Sequence, residues 1–173
     1  MKQLLLLALI SVTMSHVRGQ EKVISYTGVV NIDSSTSKDI LFSRAKRWVA
    51  ENFNSAQTVI QNEDKEAGNL ILKAGFPYMQ VVPLSKFDAF MHYTFSLSFK
   101  EGKFKYDITN FYPECDNRNY PNMTEAPEPN KQFRDAFGKK GWAKTKEIIA
   151  EKMPKMVDSL IAYMKNDDKG KDW

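Results

Sequence analysis

The chain has a single cysteine, Cys115, among its 173 residues. No internal disulfide is possible, so the fold has to rest on packing. Its two histidines are His16 and His92, and no group of Cys, His, Asp and Glu falls at metal-ligand spacing. A Gly-rich phosphate loop and the glycine-flanked serine of a nucleophile elbow are missing as well. Long hydrophobic runs are also missing: the longest, Leu4 to Val12, is well short of the roughly 20 residues that span a bilayer. Neither sign of charge dominates. The 25 Lys and Arg against 21 Asp and Glu give a net charge of +4, too near neutral to argue for nucleic acid.

What is present begins with Lys2, the short apolar run, and the small residues around Ser15 and Gly19. That order is the pattern of a secretory signal peptide, residues 1–19. Cleavage is expected after Gly19, with Val17 and Gly19 at the recognition positions, or after Ser15. Without Lys2 and Arg18 the 25 basic residues become 23 against 21 acidic ones, net +2. An exported chain with no stable membrane span after cleavage is expected. Residues 20–166 are long enough for one α+β domain, and 167–173 form a charged tail.

The domain is organised around Phe90 to Tyr112, whose two alternating runs meet at Glu101-Gly102. A two-residue hairpin turn there sets the register. Phe99 then faces Phe104, Leu97 faces Tyr106, Phe95 faces Ile108, Tyr93 faces Asn110 and Met91 faces Tyr112. On the other side Ser98 faces Lys105, Ser96 faces Asp107, Thr94 faces Thr109 and His92 faces Phe111. One side is an apolar ladder, and the other is mostly small and polar.

The remaining elements follow in order. Lys22 to Ile32 alternates as a first strand, with Gly28 marking a bulge or a helix in close approach. Thr36 or Ser37 caps a helix, Lys38 to Phe53, whose buried stripe is Ile40, Leu41, Ala45, Trp48, Val49 and Phe53. Thr58 to Asn62 is a second strand, and Gly68 takes the left-handed position of the following turn. Asn69 to Phe76 is a third strand. Pro77 and Pro83 then confine Pro77 to Leu84 to an edge or a loop that closes the end of the core. Pro113 to Asn130 reads as an irregular connection. Asn130 caps a short helix ended by Gly138, and a second long helix, Ala143 to Lys165, carries Pro154 and a kink. The result is an antiparallel five-stranded sheet with two helices on one face, in the order β-α-β-β-β-β-α.

Several stretches together resemble a known family. They are Ser37-Lys38-Asp39 opening the helix, Arg44-Ala45-Lys46-Arg47-Trp48 within it, Asp64-Lys65-Glu66-Ala67-Gly68 at the turn, and Thr109-Asn110-Phe111 ending strand five. The family is one of secreted bacterial proteins of unknown function, described as having a fold like the TATA-binding protein. The match runs from Tyr26 to Phe111 and into the second helix. It implies the TBP-like fold and carries no catalytic residue.

Nucleic acid is not expected as a partner despite that fold name, because the open face shows mainly Ser and Thr, with Lys105 as its basic exception. His92 and Asp107 share the face, but their partners put them four residues apart, too far for an acid–base pair. Cys115 reads as a loop thiol, with no histidine near it in sequence. Two roles remain, neither with a cofactor. One is a non-catalytic exported module that binds a protein or peptide through its open face or a sheet edge. Its contact residues would be Ser25, Thr27, His92, Thr94, Ser96, Lys105, Thr109 and Phe111. The alternative is a carrier of a small apolar ligand between sheet and helices, entered past Pro77–Leu84 and the helix methionines.

Overall fold

A computed structural model describes residues 22–82 and 85–166. The expected signal segment, Pro83 and Leu84, and the expected charged tail lie outside the described residues. The elements are β1 (Tyr26–Asn31), α1 (Lys38–Asn52), α2 (Ala56–Val59), β2 (Ile60–Asp64), β3 (Asn69–Val82), β4 (Ser85–Lys100), β5 (Lys103–Cys115), β6 (Arg118–Asn119) and α3 (Lys131–Lys165). One antiparallel sheet runs β1-β5-β4-β3-β2, with β6 attached to β5. The α+β class is as expected, with six strands instead of five.

The β4–β5 hairpin forms at Glu101-Gly102, where Gly102 has φ 68. From Phe99↔Phe104 to Thr94↔Thr109 the pairs are those expected. Beyond them the ladder slips by one residue, so that His92 lies opposite Tyr112 and Met91 opposite Pro113. Asn110, at φ 57, is the extra residue of a β-bulge. Its left-handed backbone suits the first position of a bulge and is tolerated by Asn better than by most side chains.

β3 continues through Pro77 to Val82, paired throughout with β4. Val82 faces Ser85, so the segment from Pro77 is hairpin rather than loop. β2 reaches only to Leu72 on β3, which makes β3 a free edge by the time it reaches Pro77. Phe99 donates to the Gly68 carbonyl. By alternation the β3 residues that bond to β4 are then even-numbered, and Pro77 lacks its N–H only on the free side. The segment does close the core's end, because Tyr78 and Gln80 are buried.

α1 lies over β4 and β5, and α3 lies over β3, on the same face of the sheet. Ser37 Oγ accepts the Ile40 N–H at 3.2 Å as the cap. The buried stripe is Leu41, Phe42, Ala45, Trp48 and Val49. Phe42 takes the place expected for Ile40 and meets Phe99 edge-on at 5.7 Å. The helices are tied by Arg44 to the Met164 carbonyl at 3.0 Å and by Tyr163 to Glu51 at 2.8 Å. In α3 the two limbs meet at Gly138, at φ 69. The backbone dihedrals stay helical through Pro154. Both Pro154 and Ala150, whose carbonyl loses its partner, are exposed, so water can take the missing donor's place.

Three smaller expectations also change. Ile60 begins β2 after a helical turn, Ala56–Val59, where strand was expected from Thr58. Gly28 sits in unbroken register with Tyr106, with no bulge and no helix against it. A Cβ there would fall 2.7 Å from the Tyr106 hydroxyl, so the close approach is a cross-strand ring. Cys115 ends β5 as a buried residue rather than a loop thiol. The connection after β6 places Met123 wholly in the core.

Candidate functional site

The open face falls into two regions. Near the hairpin turn, Thr27 pairs with Asp107 and Val29 with Lys105 across β1 and β5. Ser96 stands beside Asp107, and Thr94 beside Thr109. Lys105 reaches Asp107 at 2.7 Å. Partial burial would raise the Asp107 carboxyl, but hydrogen bonds from Lys105 and Thr27 outweigh it and hold the group below the usual carboxylate range. Asn110 donates to the Thr94 hydroxyl at 3.3 Å. Ser25 is exposed just ahead of β1.

The second region is built by the bulge. The slip turns Tyr112 outward, and its ring stacks on His92 at 4.7 Å with an interplanar angle of 14°. Phe90 closes on the imidazole from the other side at 4.9 Å. Glu114 Oε2 lies 2.7 Å from His92 Nε2, with the two side chains 37% and 29% exposed. Gly75 pairs with His92, and a Cβ there would meet the Phe90 ring at 2.2 Å. The absent side chain is what lets Phe90 lie flat on the sheet. The imidazole is thus held by a carboxylate and two rings on a rigid ladder. It offers an aromatic surface with one charged partner.

Phe111 is the correction to the expected contact set. The same slip turns it inward, where it is 1% exposed and its ring lies 5.8 Å from that of Tyr93. Tyr112 and Glu114 were not expected on this face, and the signal for them was Asn110, a residue prone to the left-handed backbone inside a strand. The face is also more charged than expected. By alternation it includes Lys73, Lys86, Lys100 and Lys103 with Lys105, interleaved with Asp64, Asp88, Asp107 and Glu114. Among the described residues no three of His, Cys, Asp and Glu gather where a metal ion could be held.

A second feature lies on the helix side, beside the free edge of β3. A cleft of about 400 Å³ is lined by Trp48, Phe53, Phe76, Tyr93, Met153 and Met156. Tyr93 donates to the Met156 sulfur at 3.2 Å, and burial pushes its phenol pKa up. The cleft is lined by the α3 methionines Met153 and Met156 but by no residue of Pro77–Val82, where α3 packs on the strand. There Gln80 Oε1 accepts from both Tyr78 and Thr145 at 2.9 Å.

Residues 26–113 match a family described as a domain of unknown function (DUF4468) with TBP-like fold. Among solved structures, the chain is similar to a DUF4468 family protein from Bacteroides ovatus. The TM-score is 0.59 at 13% identity, over 86% of this chain and 90% of that one. It is also similar to a TBP-like protein from Parabacteroides distasonis, at a TM-score of 0.52 and 12% identity over 80% and 92%. At such identities the likeness is one of fold alone. None of the curated proteins matches.

Proposed function

This chain belongs to the DUF4468 family of TBP-like domains, and we propose that it is a non-catalytic exported module that binds a protein or peptide partner through the open face of its sheet. The observation that carries this reading is the Phe90–His92–Tyr112–Glu114 cluster. It is a rigid, partly exposed aromatic surface that no described element covers. Aromatic anchors on a preformed scaffold are the residues that dominate protein interfaces. Thr94, Ser96 and Thr109 extend it as a flat polar rim, and Ser25, Thr27 and Lys105 lie at its margin. Export rests on the pattern of Lys2, Leu4–Val12 and Gly19.

Site-directed photocrosslinking in cells tests the contact surface. A photoreactive residue at Thr94 or Tyr112 should give a discrete adduct, whereas one at Asp158, on the exposed side of α3, should give none. The same adducts from all three positions, or none from Thr94 and Tyr112, would remove the open-face reading.

A second reading, a carrier for a small apolar ligand, is favoured by the cleft beside β3. Its volume and aromatic lining fall within the range of small-molecule sites, roughly 300–1,000 Å³.

A further inference from the structure

Resting on the second reading above, we infer that the cleft beside β3 takes an amphiphile with one carboxylate head, and that Lys152 reads the head. The walls set the body of the ligand. Phe53, Phe76 and Met156, each half-buried, present two rings and a thioether, surfaces that an alkyl chain or aromatic ring can displace water from, over a floor that includes the buried Trp48. Methionine adapts its shape to such contacts more readily than branched side chains do.

The lip sets the head. Lys152 Nζ lies 5.2 Å from the centroid of the Phe76 ring and makes no ion pair among the described residues. Lys155 beside it is held by Glu151 at 2.8 Å, and Lys152 is near enough to add to the lowering of the Glu151 carboxyl pKa, so two cations share one carboxylate at the cleft. Ser159 Oγ accepts the Trp48 indole N–H at 3.2 Å, and its own hydroxyl proton is left to donate outward. Gly75 lines the cleft, and the β3–β4 register turns its N–H away from β4 toward the free edge. Asn52 gives one amide hydrogen to the Trp48 carbonyl at 2.9 Å. A cation, a hydroxyl and a backbone N–H therefore all belong to the lining of one largely apolar cleft. That set is complementary to a carboxylate, whose charge-assisted hydrogen bonds are the stronger kind.

Titration of the full chain with decanoate and, separately, with decanol tests this, followed by two-dimensional NMR. Decanoate should shift the Trp48 indole N–H and the Met153 and Met156 methyl signals. Lys152→Gln, a change at an exposed position, should weaken decanoate by roughly tenfold or more and leave decanol unchanged. Equal affinity for decanoate and decanol, with no effect of Lys152→Gln, would overturn the head-group inference while the carrier reading stood. Shifts from neither compound would overturn both. Decanoate shifts confined to Phe90, His92 and Tyr112 would move the ligand to the open face and overturn the cleft.

Discussion

Cys115 lies at the end of β5 with its thiol 3.6 Å from the Asp88 carbonyl. Burial raises its pKa first, and the nearby charges of Asp116 and Asp88 add to the rise. Since only the thiolate is nucleophilic, iodoacetamide should label it slowly in the native protein at neutral pH and quickly in urea. Mass spectrometry would read both rates, and prompt native labelling would contradict this account. Asp107 has its carboxyl pKa depressed, so its contribution to stability is present at neutral pH and is lost as pH falls through the carboxylate range. The side chain is 36% exposed, and an exposed pair of this kind is worth at most about 1 kcal/mol. Asp107→Asn should therefore lower the neutral-pH midpoint slightly. It should also lose less stability than the parent between about pH 5 and pH 2. Parallel loss in both proteins, measured by urea unfolding, would count against the Lys105–Asp107–Thr27 contact.

Among the elements, α3 carries the clearest test. A proline inside a helix removes one hydrogen bond and crowds the preceding turn, at about 3 kcal/mol when nothing relieves it. Exposure of the Ala150 carbonyl relieves part of that, so Pro154→Ala should stabilise the protein by about 1–2 kcal/mol in urea unfolding. A loss of stability would show that the ring makes a contact the helix needs. Much of this architecture was legible in the sequence, because a turn glycine and strict alternation fix one another. The pairs from Phe99 to Thr109, the Ser37 cap and the Gly68 turn all followed from local chemistry. The bulge had only one signal, Asn110 inside the strand, and alternation alone passed over it. Phe111 and Tyr112 are adjacent aromatics, and apolar patterning cannot say which of two neighbouring rings goes inside. Pro77 left an edge strand and a loop both open, because the free edge that decides between them depends on where β2 stops. The candidate site inherited the missed bulge, losing Tyr112 and Glu114 and gaining Phe111.

At the scale of the whole molecule, the sheet has one sheltered face and one open face, and the lysines of the open face share it with carboxylates. Backbone-driven DNA binding needs an unbroken basic surface whose contacts release counterions. Titrating a short DNA duplex in a fluorescence-anisotropy assay at physiological salt should give no saturable binding. A tight isotherm that weakens steeply with added salt would reverse this reading of the face. The extra residue at Asn110 has a larger consequence. Up to Thr109 the strand is read in one frame, and from Phe111 onward in the other, as if one letter had been inserted into a line of text. Excising that letter would leave one unbroken frame, with Thr109 opposite Thr94, Phe111 inward beside Tyr93 and Tyr112 outward opposite His92. A single-codon deletion would thereby keep the aromatic platform, whereas drawing Asn110 into regular pairing would erase it without altering any of the side chains that compose it.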